Sequence, residues 1–111
     1  MITDERQPRR LAILHGEIKT PPIGESARRR IGFLLRDVQN GNLQGMPISR
    51  PMPSIGPNVH ELRISDEGGE WRVIFQVRPT AIYVADIFRK KTQTTPKRII
   101  DQCRKRFEQA E

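Results

Sequence analysis

Residues 59–88 read VHELRISDEGGEWRVIFQVRPTAIYVADIF, three runs of strand-forming residues separated by two turn signals. Val59 to Ser65, Glu70 to Arg78 and Ala81 to Phe88 are rich in β-branched and aromatic side chains, which suit a pleated, half-buried surface. Asp66-Glu67-Gly68-Gly69 joins the first pair and Pro79-Thr80 the second, connections short enough to demand antiparallel neighbours. The three runs therefore predict an antiparallel meander. Its last strand is apolar on both faces, as expected for a strand at the centre of a sheet covered by helices. Alternation puts Arg63 on the side of Val59 and Glu61, and Arg72 in phase with Ile74 and Gln76. Register decides which of these faces meet.

Outward from the meander, residues 41–58 hold Pro47, Pro51, Pro53 and Pro57 together with Gly41, Gly45 and Gly56, so a regular element is excluded through most of that stretch and a stiff loop is expected. Before it, Ala27, Ile31, Leu34, Leu35 and Val38 recur at helical spacing between Ser26 and Asn40, and Asn40-Gly41 supplies the stop. Leu11 to Leu14, closed by Gly16 and Pro21-Pro22, suits a first strand. After the meander, Thr95 is placed to cap a helix over 95–110 whose first residue is Pro96 and whose apolar stripe is Ile99, Ile100, Cys103 and Phe107. The opposite face carries Arg98, Asp101, Arg104 and Lys105. The expected fold is α+β in one domain over 1–111: a small, twisted, antiparallel-rich sheet made of an N-terminal strand plus the meander, packed by an N-terminal helix, with a basic C-terminal helix.

Composition narrows the function classes. No apolar run approaches the ~20 residues of a membrane span, and Met1 to Pro8 lacks an apolar signal region, so a soluble, cytoplasmic protein without membrane contact is expected. The lone Cys103 excludes an internal disulfide and an all-cysteine zinc site. Neither His15 nor His60 falls in a metal-ligand spacing, and no phosphate-binding glycine loop, dinucleotide fingerprint or nucleophile elbow occurs. No metal and no cofactor are expected. The net charge of +7 and pI near 10.5 point instead to a polyanion. The whole excess lies between Arg89 and Arg106, which holds eight bases against the single acid Asp101; so one-sided a run favours a phosphate-facing surface over a merely solvated helix.

Trp71, alternating with Val73, Phe75 and Val77, reads as core more readily than as a platform for a base, and Tyr83 as structural. Glu61 reads as a cross-strand partner of Arg72. The arginines of the meander offer guanidinium forks that match phosphate oxygens. His60 is a general-base candidate because imidazole titrates near neutral pH.

The runs His60-Glu61-Leu62-Arg63, Gly69-Glu70-Trp71-Arg72-Val73-Ile74-Phe75 and Phe88-Arg89-Lys90-Lys91, followed by Thr95-Pro96 and preceded by Arg50-Pro51-Met52-Pro53, resemble the RelE/ParE toxin superfamily, in particular its HigB-like, phage-derived branch. The likeness covers roughly residues 10 to 107. It implies a RelE-like fold and the toxin of a type II toxin–antitoxin pair, a metal-independent endoribonuclease that cleaves mRNA on the ribosome and so inhibits translation. It further implies Arg63, Arg72 and Lys90 at the scissile phosphate, assisted by His60 or a ribosomal group, with Arg50, Arg89, Lys91, Lys97 and Arg98 contacting RNA. An adjacently encoded antitoxin, expected to bear a helix-turn-helix domain, is the implied protein partner. No tyrosine follows Tyr83 and no histidine follows His60, so the general base is left open. A ParE-like, non-enzymatic inhibitor of gyrase and an inactive phage-derived RNA-binding remnant stand as alternatives within the same fold.

Overall fold

The computed structural model describes residues 8–14, 23–67, 69–90 and 94–110. Among them are strands β1 (Arg10–Ile13), β2 (Ser49–Pro51), β3 (Val59–Asp66), β4 (Gly69–Val77) and β5 (Ala81–Arg89), and helices α1 (Glu25–Gln39) and α2 (Lys97–Gln109). The strands form one sheet in the order β1-β5-β4-β3-β2. The meander closes as its turn signals require: Asp66 lies opposite Gly69, and the Arg78 amide donates to the Ala81 carbonyl. β1 adds to β5 in parallel, an arrangement that the helical connection after β1 makes possible.

Two expectations are corrected. The sheet centre is β4, not β5, because β1 and β2 extend the meander at opposite edges. The proline-rich stretch is also not all loop, since β2 pairs with β3 over three residues, with Pro51 at the outer edge where a missing amide breaks no ladder bond.

Period 2 and period 3.6 together build two cores. On one face, Ala27, Ile31, Leu34, Leu35 and Val38 of α1 pack on Leu62, Ile64, Trp71, Val73, Phe75, Ile82 and Val84. On the other, Ile99, Cys103 and Phe107 of α2, with Met52 and Ile55, cover Val59, Ile74, Tyr83 and Ala85. Trp71 and Tyr83 are both buried in these cores. A register shift at Ile74/Phe75 pairs Asp86 with Ile74 and Val84 with Phe75, leaving Ala85 as the extra residue. Beyond it, Ile87 returns to the α1 core and Phe88 to the α2 core.

α1 ends at Gln39 with Asn40 as its C-cap, and the chain reverses at Gly41, whose φ of +90° permits it, with its amide on the Val38 carbonyl. Gly32, exposed in the middle of α1, has no such role, and a Cβ there would meet nothing within 4 Å. Gly32→Ala is therefore expected to stabilise the protein by about 0.5–1 kcal/mol, read as a higher Tm in thermal denaturation. No described helix is long and apolar enough to cross a membrane.

Candidate nucleic-acid interface

On the α2 face, three neighbouring strands bring basic side chains around one carboxylate. Register sets Arg50 of β2 opposite Glu61 of β3, and Arg63 opposite Arg72 of β4. Glu61 is buried, and its Oε1 accepts a hydrogen bond from Arg50 Nε at 3.1 Å. Arg72 Nε and Arg63 Nε lie 3.5 and 3.6 Å from the same oxygen. Glu61 Oε2 accepts from Thr95 Oγ1 at 3.1 Å, which ties the sheet to the entry of α2. The Glu61–Arg72 pairing expected from sequence is present, as one of three. Thr95 does not cap the helix: Pro96 occupies the cap position and Lys97 is the first helical residue, without a side-chain cap.

The four cations divide by depth. Arg72 is 4% exposed and forms the floor, donating also to Glu70 Oε1 at 2.9 Å and to the Trp71 carbonyl at 3.3 Å. Arg63 is 28% exposed, and its enclosed Nε has no hydrogen-bond partner among the described residues. Lys90 follows β5, its amide on the Glu70 carbonyl. The hydrogen bond and charge of Arg72, with Lys90 and Arg63 adding to them, hold the Glu70 carboxyl below the usual carboxylate range. The stabilisation this reflects is complete above that range and is lost as pH falls through the folded value. Within this cluster, the four cations Arg50, Arg63, Arg72 and Lys90 outnumber the two carboxylates of Glu61 and Glu70, a local excess of +2. The first turn of α2, which contains no acidic residue, adds the positive end of its dipole beside Thr95.

The other candidates lie elsewhere. His60 pairs with Phe75, stacks on its ring at a centroid distance of 5.6 Å and so faces the α1 core, across the sheet from the arginines. Burial pushes its imidazole below the usual value near 6.5. Arg89 lies over Gly69, where a Cβ would stand 2.8 Å from its Nε, also on the α1 side. Lys91 lies outside the described residues. Lys97 bonds Asp101 at 2.7 Å on the solvent side of α2, and Arg98 is exposed on the first turn without an ion pair among the described residues.

The basic segment is thus not one surface. Arg106 turns inward to the Ala85 carbonyl at 2.7 Å and to Asp86 at 3.8 Å, and Arg104 reaches the Ser54 carbonyl. Cys103 is fully buried, and desolvation pushes its thiol up to about 12, so it is chemically inert in the folded protein. Two participants escaped the sequence reading. Glu70 was signalled only by its phase with Arg72, two residues on, and Thr95 carried a capping signal that hid its contact with Glu61.

A family model described as phage derived protein Gp49-like (DUF891) matches residues 22–108, from the approach to α1 nearly to the end of α2. The chain belongs to the Gp49-like family. That family falls among the RelE/HigB-like toxins, so the RelE-like layout of sheet, α1 and C-terminal helix has its counterpart in family membership. No curated protein and no solved structure matches the chain.

Proposed function

We infer that this Gp49-like protein is the toxin of a toxin–antitoxin pair and a metal-independent endoribonuclease acting on mRNA at the ribosome. The observation that carries this reading is Arg63: a partly exposed guanidinium on β3, whose Nε has no hydrogen-bond partner among the described residues, in a cluster of net positive charge beside a helix N-terminus. Such a site matches a phosphodiester and pre-organises donors where negative charge develops.

In the reaction this favours, the 2′-oxygen of one nucleotide attacks its own 3′-phosphorus, and the P–O5′ bond breaks. The products are a 2′,3′-cyclic phosphate and a 5′-hydroxyl end, the 2′-hydroxyl proton being lost and one being gained by O5′. Arg63, Lys90 and Arg50 hold the phosphate oxygens, and Arg72 supports them from below. Glu70 is the carboxylate this face offers for the 2′-hydroxyl proton. Its lowered pKa makes it a weak base, so charge stabilisation supplies the larger share of the rate. His60 takes no part in this scheme because it faces the opposite side of the sheet.

Induction of the protein in a bacterial host tests the proposal. Growth arrest, halted protein synthesis and mRNA cuts within reading frames, mapped by primer extension, are the expected result. Intact messages and continued translation would refute the nuclease assignment.

A further inference from the structure

Thr95 touches the arginine cluster without adding charge to it. It is half-buried just before Lys97, the first residue of α2, and its Oγ1 donates to Glu61 Oε2 at 3.1 Å. The three arginine contacts of the same carboxylate all fall on the other oxygen, Oε1, and all are made by Nε: Arg50 at 3.1 Å, Arg72 at 3.5 Å and Arg63 at 3.6 Å. Arg72 engages its terminal nitrogens elsewhere, on the Trp71 carbonyl and on Glu70. The terminal nitrogens of Arg50 and Arg63 have no hydrogen bond or ion pair among the described residues, although both side chains reach a buried carboxylate.

An unconstrained carboxylate pairs with arginine differently. The favoured form is a fork, in which two parallel N–H groups meet both carboxylate oxygens. A fork on Glu61 would take up a terminal nitrogen of Arg50 or Arg63. It needs Oε2, and Oε2 is held by a hydroxyl from a different element. That element is itself fixed: Ile99, Cys103 and Phe107 of α2 are buried, and Arg78 donates to the Phe107 carbonyl at 2.8 Å and to the Ala110 carbonyl at 3.3 Å. Glu61 is only 1% exposed, so an Oε2 without Thr95 has little water to turn to. The donors already gathered at the carboxylate are the guanidiniums.

We propose that Thr95 is a positioning residue: by holding Glu61 Oε2 it limits the carboxylate to one-oxygen contacts with Nε, and so keeps the terminal nitrogens of Arg50 and Arg63 for the oxygens of a phosphate. Thr95 itself touches no substrate. The catalytic consequence rests on the nuclease reading above, whereas the state of the guanidiniums is a property of the protein alone. The docked position of α2 thereby becomes a condition for an open arginine site.

Thr95→Val keeps the side-chain shape and removes the donor, and Thr95→Ser restores it. Nuclear magnetic resonance of the arginine side chains in the full chain reads the guanidiniums directly. In the natural protein the terminal N–H groups of Arg50 and Arg63 should rotate freely and exchange rapidly with water. In Thr95→Val at least one of the two should show hindered rotation and slow exchange, and Thr95→Ser should return to the natural pattern. Single-turnover mRNA cleavage by Thr95→Val should fall at least ~10-fold, with RNA affinity changed less than ~3-fold because every charge stays in place. In a Glu61→Gln background, whose single amide oxygen cannot complete the fork, Thr95→Val should cause no further loss of rate. Arg78→Met loosens the far end of α2 and supplies the comparison, lowering the urea midpoint at an unchanged cleavage rate. Unaltered arginine signals in Thr95→Val, its full loss of rate repeated in the Glu61→Gln background, no recovery in Thr95→Ser, or an equal fall in Arg78→Met would each overturn the positioning role while leaving the nuclease reading intact. A natural protein that cuts no RNA, but whose arginine signals respond to Thr95→Val as expected, would overturn the nuclease reading and uphold the hold of Thr95 on Glu61.

Discussion

Replacing Arg63 by alanine is expected to lower ribosome-dependent mRNA cleavage by about 10²- to 10³-fold, the usual effect of removing one pre-organised donor from a developing oxyanion. The structure makes this a clean experiment. Arg63 is partly exposed, and its Nε lies 3.6 Å from a carboxylate oxygen already shared by Arg50 and Arg72, so its removal leaves Glu61 with two guanidiniums and Thr95. Stability should change little. RNA affinity should also change modestly, because one lost phosphate contact reduces the salt slope by only about 0.7 for a single strand. The decisive pattern is a large fall in single-turnover rate with a small change in binding. Equal losses in both would mean that Arg63 only tethers the backbone, and an unchanged rate would remove it from the reacting centre.

The parts of this fold that were legible from sequence are those written in local periodicity. Ala27 to Val38 at period 3.6, the alternation of Trp71, Val73 and Phe75, and the two turn signals fix α1 and the meander without tertiary information. The position of β5 was not legible in this way. Its two-faced apolar pattern marks an interior strand, but only the non-local pairing with Arg10–Ile13 decides that β4 and not β5 is central. β2 was hidden for a related reason. Three residues among prolines have no period of their own, and they become a strand because β3 offers an edge.

The site divides similarly. Arg63 and Arg72 converge because an antiparallel hairpin with Asp66 opposite Gly69 brings them into register. The separation of His60 from them was already implicit in the alternation that grouped Val59, Glu61 and Arg63, since adjacent strand residues point to opposite faces. Thr95 could not be placed, because its contact with Glu61 spans 34 residues and depends on how α2 docks.

Glu61 gives the largest expected effect on stability. Its carboxylate is the common partner of Arg50, Arg63 and Arg72, and it anchors Thr95 at the entry to α2. Two opposing terms decide what its removal does. Burying an ion cluster is expensive to begin with, so a well-packed apolar replacement of the entire cluster could be neutral. Removing the carboxylate alone is different, because among the described residues Arg72 then remains buried with one anionic partner, Glu70, which is itself half-exposed. Breaking one side of a buried pair typically costs about 3–5 kcal/mol. Arg50 and Arg63 are each about a third exposed and can regain water, which points to the lower end of that range. Glu61→Ala is therefore expected to lose about 3 kcal/mol, a large share of the ~5–15 kcal/mol that holds a small domain together, seen in urea unfolding as a lower midpoint at unchanged m. Glu61→Gln keeps the shape and the hydrogen-bonding capacity towards Arg50 and Thr95, and should lose less. The same substitutions separate attraction from pre-organisation. Loss of a carboxylate raises the net charge of the arginine face, so RNA should bind as well or better, whereas the guanidiniums lose the anchor that fixes their direction. Cleavage should accordingly fall in Glu61→Gln while RNA affinity holds or rises. A variant that cleaves as fast as the natural protein would show that the arginines need no internal anchor, and would assign Glu61 to folding alone.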